Sequence, residues 1–204
     1  MHSVRLDNLD YRPSKIVCVG RNYAAHIEEL GNEVPESMVV FGKPNSAIGS
    51  QLFASLGGES LHYEGEIALL VEGGRVAAAG FGLDLTKRNL QARLKEKGLP
   101  WERAKAFDGA ALFSDFARID STVALALELD VDGRPRQRGD VSLMLYPPEI
   151  ILKELAKFTT LEDGDIVMTG TPAGVGAVVA GEQFTGRVIQ AGKLLAEASW
   201  VARA

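Results

Sequence analysis

The chain has 204 residues, 46% hydrophobic and 24% charged, enough for one sizeable core. Its formal net charge of -5 gives no basic footprint and argues against a nucleic-acid partner. The single cysteine, Cys18, excludes an intramolecular disulfide, no run approaches the roughly 20 apolar residues of a membrane span, and no apolar signal core follows Met1, so a cytoplasmic protein is expected.

Residues 1–13 read as an N-terminal arm ending at Pro13, ahead of a single domain over 14–204. Lys15 to Gly20 is a continuous apolar run, the pattern of a buried strand. In Arg21 to Gly31, Tyr23, Ile27 and Leu30 have helical spacing and Gly31 can close the turn, so a short helix is expected there. Met38 to Lys43 reads as a strand stopped by Pro44. Leu61 to Val71 reads as one strand ending at the turn Glu72-Gly73-Gly74, and Arg75 to Leu83 as the next. Thr86 can cap a helix to Lys97 with Leu90 and Leu94 on its core face, Gly98 closing it and Pro100 beyond. Residues 101–116 look irregular. Val123, Leu125, Leu127, Leu129 and Val131 alternate along a strand that ends in the turn Asp132-Gly133. Pro147-Pro148 opens a helix to Phe158, Asp165 to Thr169 is a short strand, and 182–201 reads as strands around Ala191-Gly192. Many strands with two or three helices, not alternating, predict an α+β fold around a mixed sheet.

The strand reading of Leu61 to Val71 places His62, Glu64 and Glu66 on one face. Two carboxylates side by side in an apolar strand call for a positive charge between them, and oxygen ligands without cysteine suit a hard ion such as Mg²⁺ or Mn²⁺. A solvated edge face accounts for these residues equally well. His26 and Glu29, three apart, are a base with its orienting carboxylate or, more commonly, a surface helical pair. Lys105 is a snorkelling surface lysine or a buried cation facing an anion, and Asp84, between a strand and a helix, is by default a loop or cap residue. Gly170 to Gly176 lacks the Lys-Ser/Thr pair of a phosphate loop, though its hydroxyls and backbone N–H groups can bind a carboxylate.

Together, six blocks in order resemble one family. They are Val19-Gly20-Arg21-Asn22-Tyr23-Ala24-Ala25-His26; Phe41-Gly42-Lys43-Pro44; His62-Tyr63-Glu64-Gly65-Glu66; Leu83-Asp84-Leu85-Thr86; Gly98-Leu99-Pro100-Trp101 with Ala104-Lys105; and Thr169 to Gly176. They are similar to the fumarylacetoacetate hydrolase family, in its short single-domain branch of acylpyruvate hydrolases and oxaloacetate decarboxylases or tautomerases. The resemblance implies a mixed β-roll or sandwich core with a few peripheral helices, usually as a homodimer, acting on a small 2-keto acid. It implies that Glu64, Glu66 and Asp84 hold Mg²⁺ or Mn²⁺, that His26 and Glu29 form a dyad on a lid helix, and that Lys105 faces the anionic oxygen of the substrate. Thr171 and Gln91 would contact substrate, with Arg21 and Lys43 supporting the pocket. Gly65 departs from the larger apolar residue usual between the two glutamates. The first reading is metal-dependent C–C hydrolysis of an acylpyruvate. Oxaloacetate decarboxylation or tautomerisation comes next, then a 2-hydroxyhepta-2,4-diene-1,7-dioate isomerase or decarboxylase of aromatic catabolism. A metal-stabilised binding protein without turnover is the alternative from another class.

Overall fold

The computed structural model describes residues 1–204 except Leu30 and Asn32. The expected place of Leu30 on the first helix therefore lies outside the described residues. The strand Gly65–Glu72 forms the centre and is buried at every position but the last. Its run Ile67-Ala68-Leu69-Leu70-Val71 is apolar without alternation, so both of its faces need cover. Arg75–Asp84 pairs with it antiparallel across Gly73 and Gly74, whose positive φ angles of 57° and 72° suit glycine. On the other side, Ile166–Met168 runs antiparallel to Gly65–Glu72 and parallel to Lys15–Gly20, so the sheet is mixed. Its order is Ala111–Phe113, Arg75–Asp84, Gly65–Glu72, Ile166–Met168, Lys15–Gly20, Val39–Pro44, with Ala117–Arg118 also on Arg75–Asp84.

A second, antiparallel sheet of four strands, Arg134–Asp140, Leu125–Val131, Gln183–Gln190 and Lys193–Val201 in that order, packs on one face of the first. Leu125, Leu127, Leu129 and Val131 are buried there with Phe184, Val188, Ile67, Leu69, Phe81 and Leu83. Burying each such side chain contributes about 1.5–3 kcal/mol, so this interlayer is the main source of stability. Gly186 permits the close approach: a Cβ there would stand 2.1 Å from the Phe81 ring. The opposite face carries Ile16, Cys18, Ala68, Leu70, Ile166 and Met168, covered in part by Val4 and Leu6 from a hairpin of Val4–Leu6 and Leu9–Tyr11. A small third sheet joins Ser55–Leu56, Glu59–Tyr63, Gly176–Ala177 and Thr86–Lys87. The helices Ala24–Glu29, Arg88–Glu96, Glu102–Lys105 and Pro148–Leu155 lie outside the sheets. The fold is the expected α+β sandwich with peripheral helices. No helix among the described residues is long and apolar enough to cross a membrane.

Several local expectations are corrected. Leu61 to Val71 is two strands, not one. Tyr63 pairs with Gly176 in the small sheet and Gly65 with Leu83 in the large one, so the chain changes sheets at Glu64. Thr86 does not cap a helix: it pairs with His62, and the helix starts at Arg88 without a side-chain cap. Gln91 and Leu94 are the buried residues of that helix, with Leu90 only partly covered. Residues 101–116 contain the helix Glu102–Lys105 and the strand Ala111–Phe113. The strand Arg134–Asp140 had no apolar alternation to reveal it, since only Gln137 and Gly139 are buried.

A candidate active site of three carboxylates

Three elements deliver the acids. Glu64 sits at the crossing between sheets, Glu66 is the second residue of Gly65–Glu72, and Asp84 ends Arg75–Asp84. The antiparallel pairing brings the last two strands into register, and the Asp84 amide donates to the Glu64 carbonyl at 2.8 Å. One oxygen from each carboxylate lies within 4.8 Å of the others, and all three residues are buried. His62 is not part of this cluster; it pairs in the small sheet instead.

Two lysines enter the acidic cluster. Lys105 Nζ, 2% exposed as a residue, donates to Glu64 Oε2 and Asp84 Oδ2 at 2.8 Å each and stands 5.2 Å from the centre of the Phe41 ring. Lys43 Nζ pairs with Asp84 Oδ1 at 2.8 Å and donates to the Lys105 carbonyl. The buried Asp84 Oδ1 thus meets the Lys43 ammonium as an ion pair and has no hydrogen-bond partner. Glu66 Oε2 accepts from the Gly170 amide at 2.7 Å, and Thr86 Oγ1 donates to Glu64 Oε1 at 3.3 Å.

Charge is unevenly shared. Burial works against ionisation of Glu64, but Lys105, by its charge and hydrogen bond, holds the carboxyl below its ordinary range. Burial would strip Lys105 of its proton, yet Asp84 and Glu64 outweigh that and raise its pKa. Glu66 is left with the repulsion. Burial first, then Asp84 and Glu64, push its carboxyl well above the usual range despite the Gly170 bond. Three converging carboxylates, one of them held well above the usual range by its neighbours, and an Asp84 oxygen held by an ion pair alone fit a hard divalent cation. The lysine bridging two of them shows the same demand for positive charge.

A cavity of about 40 Å³ opens onto this cluster, lined by Gly20, Arg21, His26, Phe41, Glu64, Arg88, Gln91, Lys95, Trp101 and Lys105. Of the residues singled out in the sequence, Arg21, His26, Glu64, Gln91 and Lys105 meet here. Glu66, Asp84 and Lys43 lie behind its wall, at 2% exposure or less. His26 Nδ1 faces Glu29 Oε2 at 3.4 Å, and Glu29 Oε1 accepts from the Gly174 amide at 3.0 Å. The short helix is thus tied to the Gly170–Gly176 loop. Thr171 is buried beside Gly170 but does not line the cavity.

Sequence reasoning overlooked Arg88, whose guanidinium lies 3.9 Å from Glu64 Oε1 and donates to Gln91 Oε1 at 3.2 Å. The three-residue spacing to Gln91 on one helix was an available signal. It also missed Asn22, which donates to the Thr169 carbonyl at 2.8 Å, and Gln137, treated below. Neither carries a local sequence signal, because their partners are more than 30 residues away.

Comparison with known proteins agrees with this geometry. Residues 15–199 match the fumarylacetoacetate hydrolase C-terminal family. The chain is 40% identical over 195 residues to the oxaloacetate tautomerase of Escherichia coli, covering 87% of this chain and 89% of that one. It is 39% identical over 189 residues to a mitochondrial oxaloacetate tautomerase of Arabidopsis thaliana, covering 84% and 85%. Among solved structures, fumarylpyruvate hydrolase of Pseudomonas aeruginosa, in complex with Mn²⁺ and pyruvate, superposes with a TM-score of 0.89 at 32% identity, over 99% of this chain and 95% of that one.

Proposed function

Because this chain belongs to the fumarylacetoacetate hydrolase family, we propose that it interconverts the keto and enol forms of oxaloacetate, using Mg²⁺ or Mn²⁺ held by Glu64, Glu66 and Asp84. The observation behind this choice of substrate is the cavity. Ringed by Arg21, Arg88, Lys95 and Lys105, it suits a short keto acid with two carboxylates. The names of the relatives at 40% and 39% identity support the same choice. Tautomerisation therefore moves ahead of acylpyruvate hydrolysis, which the sequence alone put first.

A divalent ion bound by the three carboxylates supplies a Lewis acid that stabilises negative charge developing on a keto oxygen. The reaction relocates one proton between that oxygen and the neighbouring carbon, with no atom gained or lost. His26 is the group assigned to carry it. Its Nδ1 faces Glu29, which leaves Nε2 to exchange the proton on carbon. Glu29, held by the Gly174 amide, fixes the orientation of the ring. Lys105 stays charged against Glu64 and Asp84, so its part is electrostatic: fixed positive potential at the oxygen end of the substrate. Gln91 and Arg21 line the same space as polar contacts, and Lys43 holds Asp84 from behind. Thr171, buried next to the Gly170 amide that holds Glu66, is assigned the substrate carboxylate by the family resemblance.

Hydrolysis of an acylpyruvate is the second reading, favoured by a larger cavity of about 280 Å³. It shares Phe41, Trp101 and Lys105 with the first and is walled by Val39, Val40 and Pro100, apolar room for an acyl group. There, water deprotonated by His26 adds to the distal carbonyl, the C–C bond breaks, and pyruvate leaves as its enolate.

The test follows the enol absorbance of oxaloacetate with Mn²⁺, with Mg²⁺ and with EDTA, beside acetylpyruvate and fumarylpyruvate. Accelerated keto–enol equilibration that EDTA abolishes is expected, and His26→Ala should slow it by ~10² to 10⁴-fold. Faster cleavage of either acylpyruvate would select the second reading. Release of carbon dioxide would select decarboxylation, and tight Mn²⁺ binding without any turnover a binding protein. A cytoplasmic homodimer belongs to the same proposal and is checked by cell fractionation and light scattering.

A further inference from the structure

We propose that Gln137 is a positioning residue that sets the hydrogen-bond polarity of Thr171, so that the Thr171 hydroxyl donates toward a bound keto acid. This rests on the reading of Thr171 as a contact to the substrate carboxylate. Gln137 is 1% exposed, on the strand Arg134–Asp140. Its Oε1 accepts from the Gly65 amide at 2.9 Å, and its Nε2 donates to Thr171 Oγ1 and to the Pro172 carbonyl, both at 2.8 Å.

These partners fix which way the amide faces. A backbone N–H only donates and a carbonyl only accepts, so the oxygen must face Gly65 and the nitrogen Pro172. Both amide protons are then used, one of them on Thr171. The threonine oxygen is an acceptor there, and its single proton remains for another partner. In this structure the hydroxyl donates to the Pro172 carbonyl at a long 3.4 Å, a bond that a nearer acceptor displaces. An anionic ligand needs a hydroxyl that donates; one turned to Pro172 would present lone pairs to it.

Gln137 also joins the two halves of the site. Gly65 lies between Glu64 and Glu66, and Thr171 follows Gly170, whose amide holds Glu66. The glycine between the glutamates gains a reason: a Cβ at residue 65 would stand 2.9 Å from Gln137 Oε1 and 3.1 Å from Phe81 Cζ. Gly65 leaves room for the glutamine that sets Thr171.

The experiment measures the affinity of Mn²⁺-loaded protein for oxalate, an enolate mimic, by calorimetry, and of the oxalate-free protein for Mn²⁺ by electron paramagnetic resonance. Gln137→Met keeps the volume and removes the competing Gln137 donor, which strengthens the hold of the Pro172 carbonyl on the Thr171 proton. It should weaken oxalate binding roughly 10- to 100-fold, the worth of a hydrogen bond to a charged group, and by more than any change in Mn²⁺ affinity that loss of the Gly65 acceptor causes. Thr171→Val should weaken oxalate binding in the parent chain and add nothing further in the Gln137→Met background. Where Gln137→Met does not fold, Gln137→Glu serves: it keeps the acceptor for Gly65 and turns the Thr171 end into an acceptor, with the same expected loss. Thr171→Val costing the same factor in both backgrounds, or unchanged oxalate affinity in the Gln137 variants, overturns the proposal. Failure of the parent chain to bind oxalate with Mn²⁺ overturns the functional reading, and this inference with it.

Discussion

Lys105→Met tests how the acidic cluster is held together without metal. In the parent chain one buried ammonium serves two carboxylates at 2.8 Å. Removing one partner of a buried ion pair costs about 3–5 kcal/mol, because the other charge is left without compensation. Lys43 still pairs with Asp84 Oδ1, and Arg88 stands 3.9 Å from Glu64, so the lower end, about 3 kcal/mol, is expected at pH 7.5 in EDTA. The loss should shrink on acidification. In the parent, the Glu64 pKa is depressed, and its contribution is present above the unfolded value of 4.5 and lost as pH falls through the folded value. In the variant, burial without Lys105 raises Glu64 above 4.5, so the folded chain takes up a proton and recovers stability as pH falls toward that value. Urea unfolding of both chains at pH 7.5 and pH 5, with EDTA present, measures the gap. A gap under about 1 kcal/mol at pH 7.5, or one that widens at pH 5, would refute the bridging role of Lys105.

Other outcomes follow from the same site. Glu66→Gln keeps an acceptor for the Gly170 amide and removes a charge that its neighbours disfavour, so metal-free stability should stay within about 1 kcal/mol while Mn²⁺ affinity falls at least ~100-fold; urea melts and metal titration check the two halves. Because the Glu66 pKa is raised well above 4.5, metal binding favours loss of its proton, and Mn²⁺ affinity should climb with pH above 4.5; a metal titration in which affinity does not rise with pH there would contradict this. Gly174→Ala would place a Cβ 2.0 Å from the Arg136 carbonyl at a φ of +99°, displacing the amide that holds Glu29, so amide exchange of residues 24–29 should speed up; unchanged exchange would show that Glu29 does not anchor the helix.

Elements with strong local patterns were legible in the sequence. The apolar run of Lys15–Gly20 appears where expected, and the alternation expected from Val123 holds from Leu125 to Val131 with Val123 itself exposed, because burial on two faces or one writes itself directly into residue order. The family was legible through six ordered motifs, and the structure brings carboxylate oxygens of Glu64, Glu66 and Asp84, assigned by that resemblance, within 4.8 Å of one another. Polar strands were not legible: Arg134–Asp140 buries only Gln137 and Gly139, so no period marks it.

What the sequence determined by itself was therefore the fold class, the family and the short list of acids, all of which rest on local order along the chain. Tertiary structure decided how those residues are used. Glu64 reaches Glu66 through a change of sheet and not along one strand, Thr86 serves Glu64 and not a helix, and Lys105 enters the acids from 21 and 41 residues away. Whether a lysine is a surface cation or a buried counterion, and which way a glutamine amide faces, depends on partners that long-range packing supplies. That packing is set by the summed burial of two sheets, which no window of neighbouring residues contains.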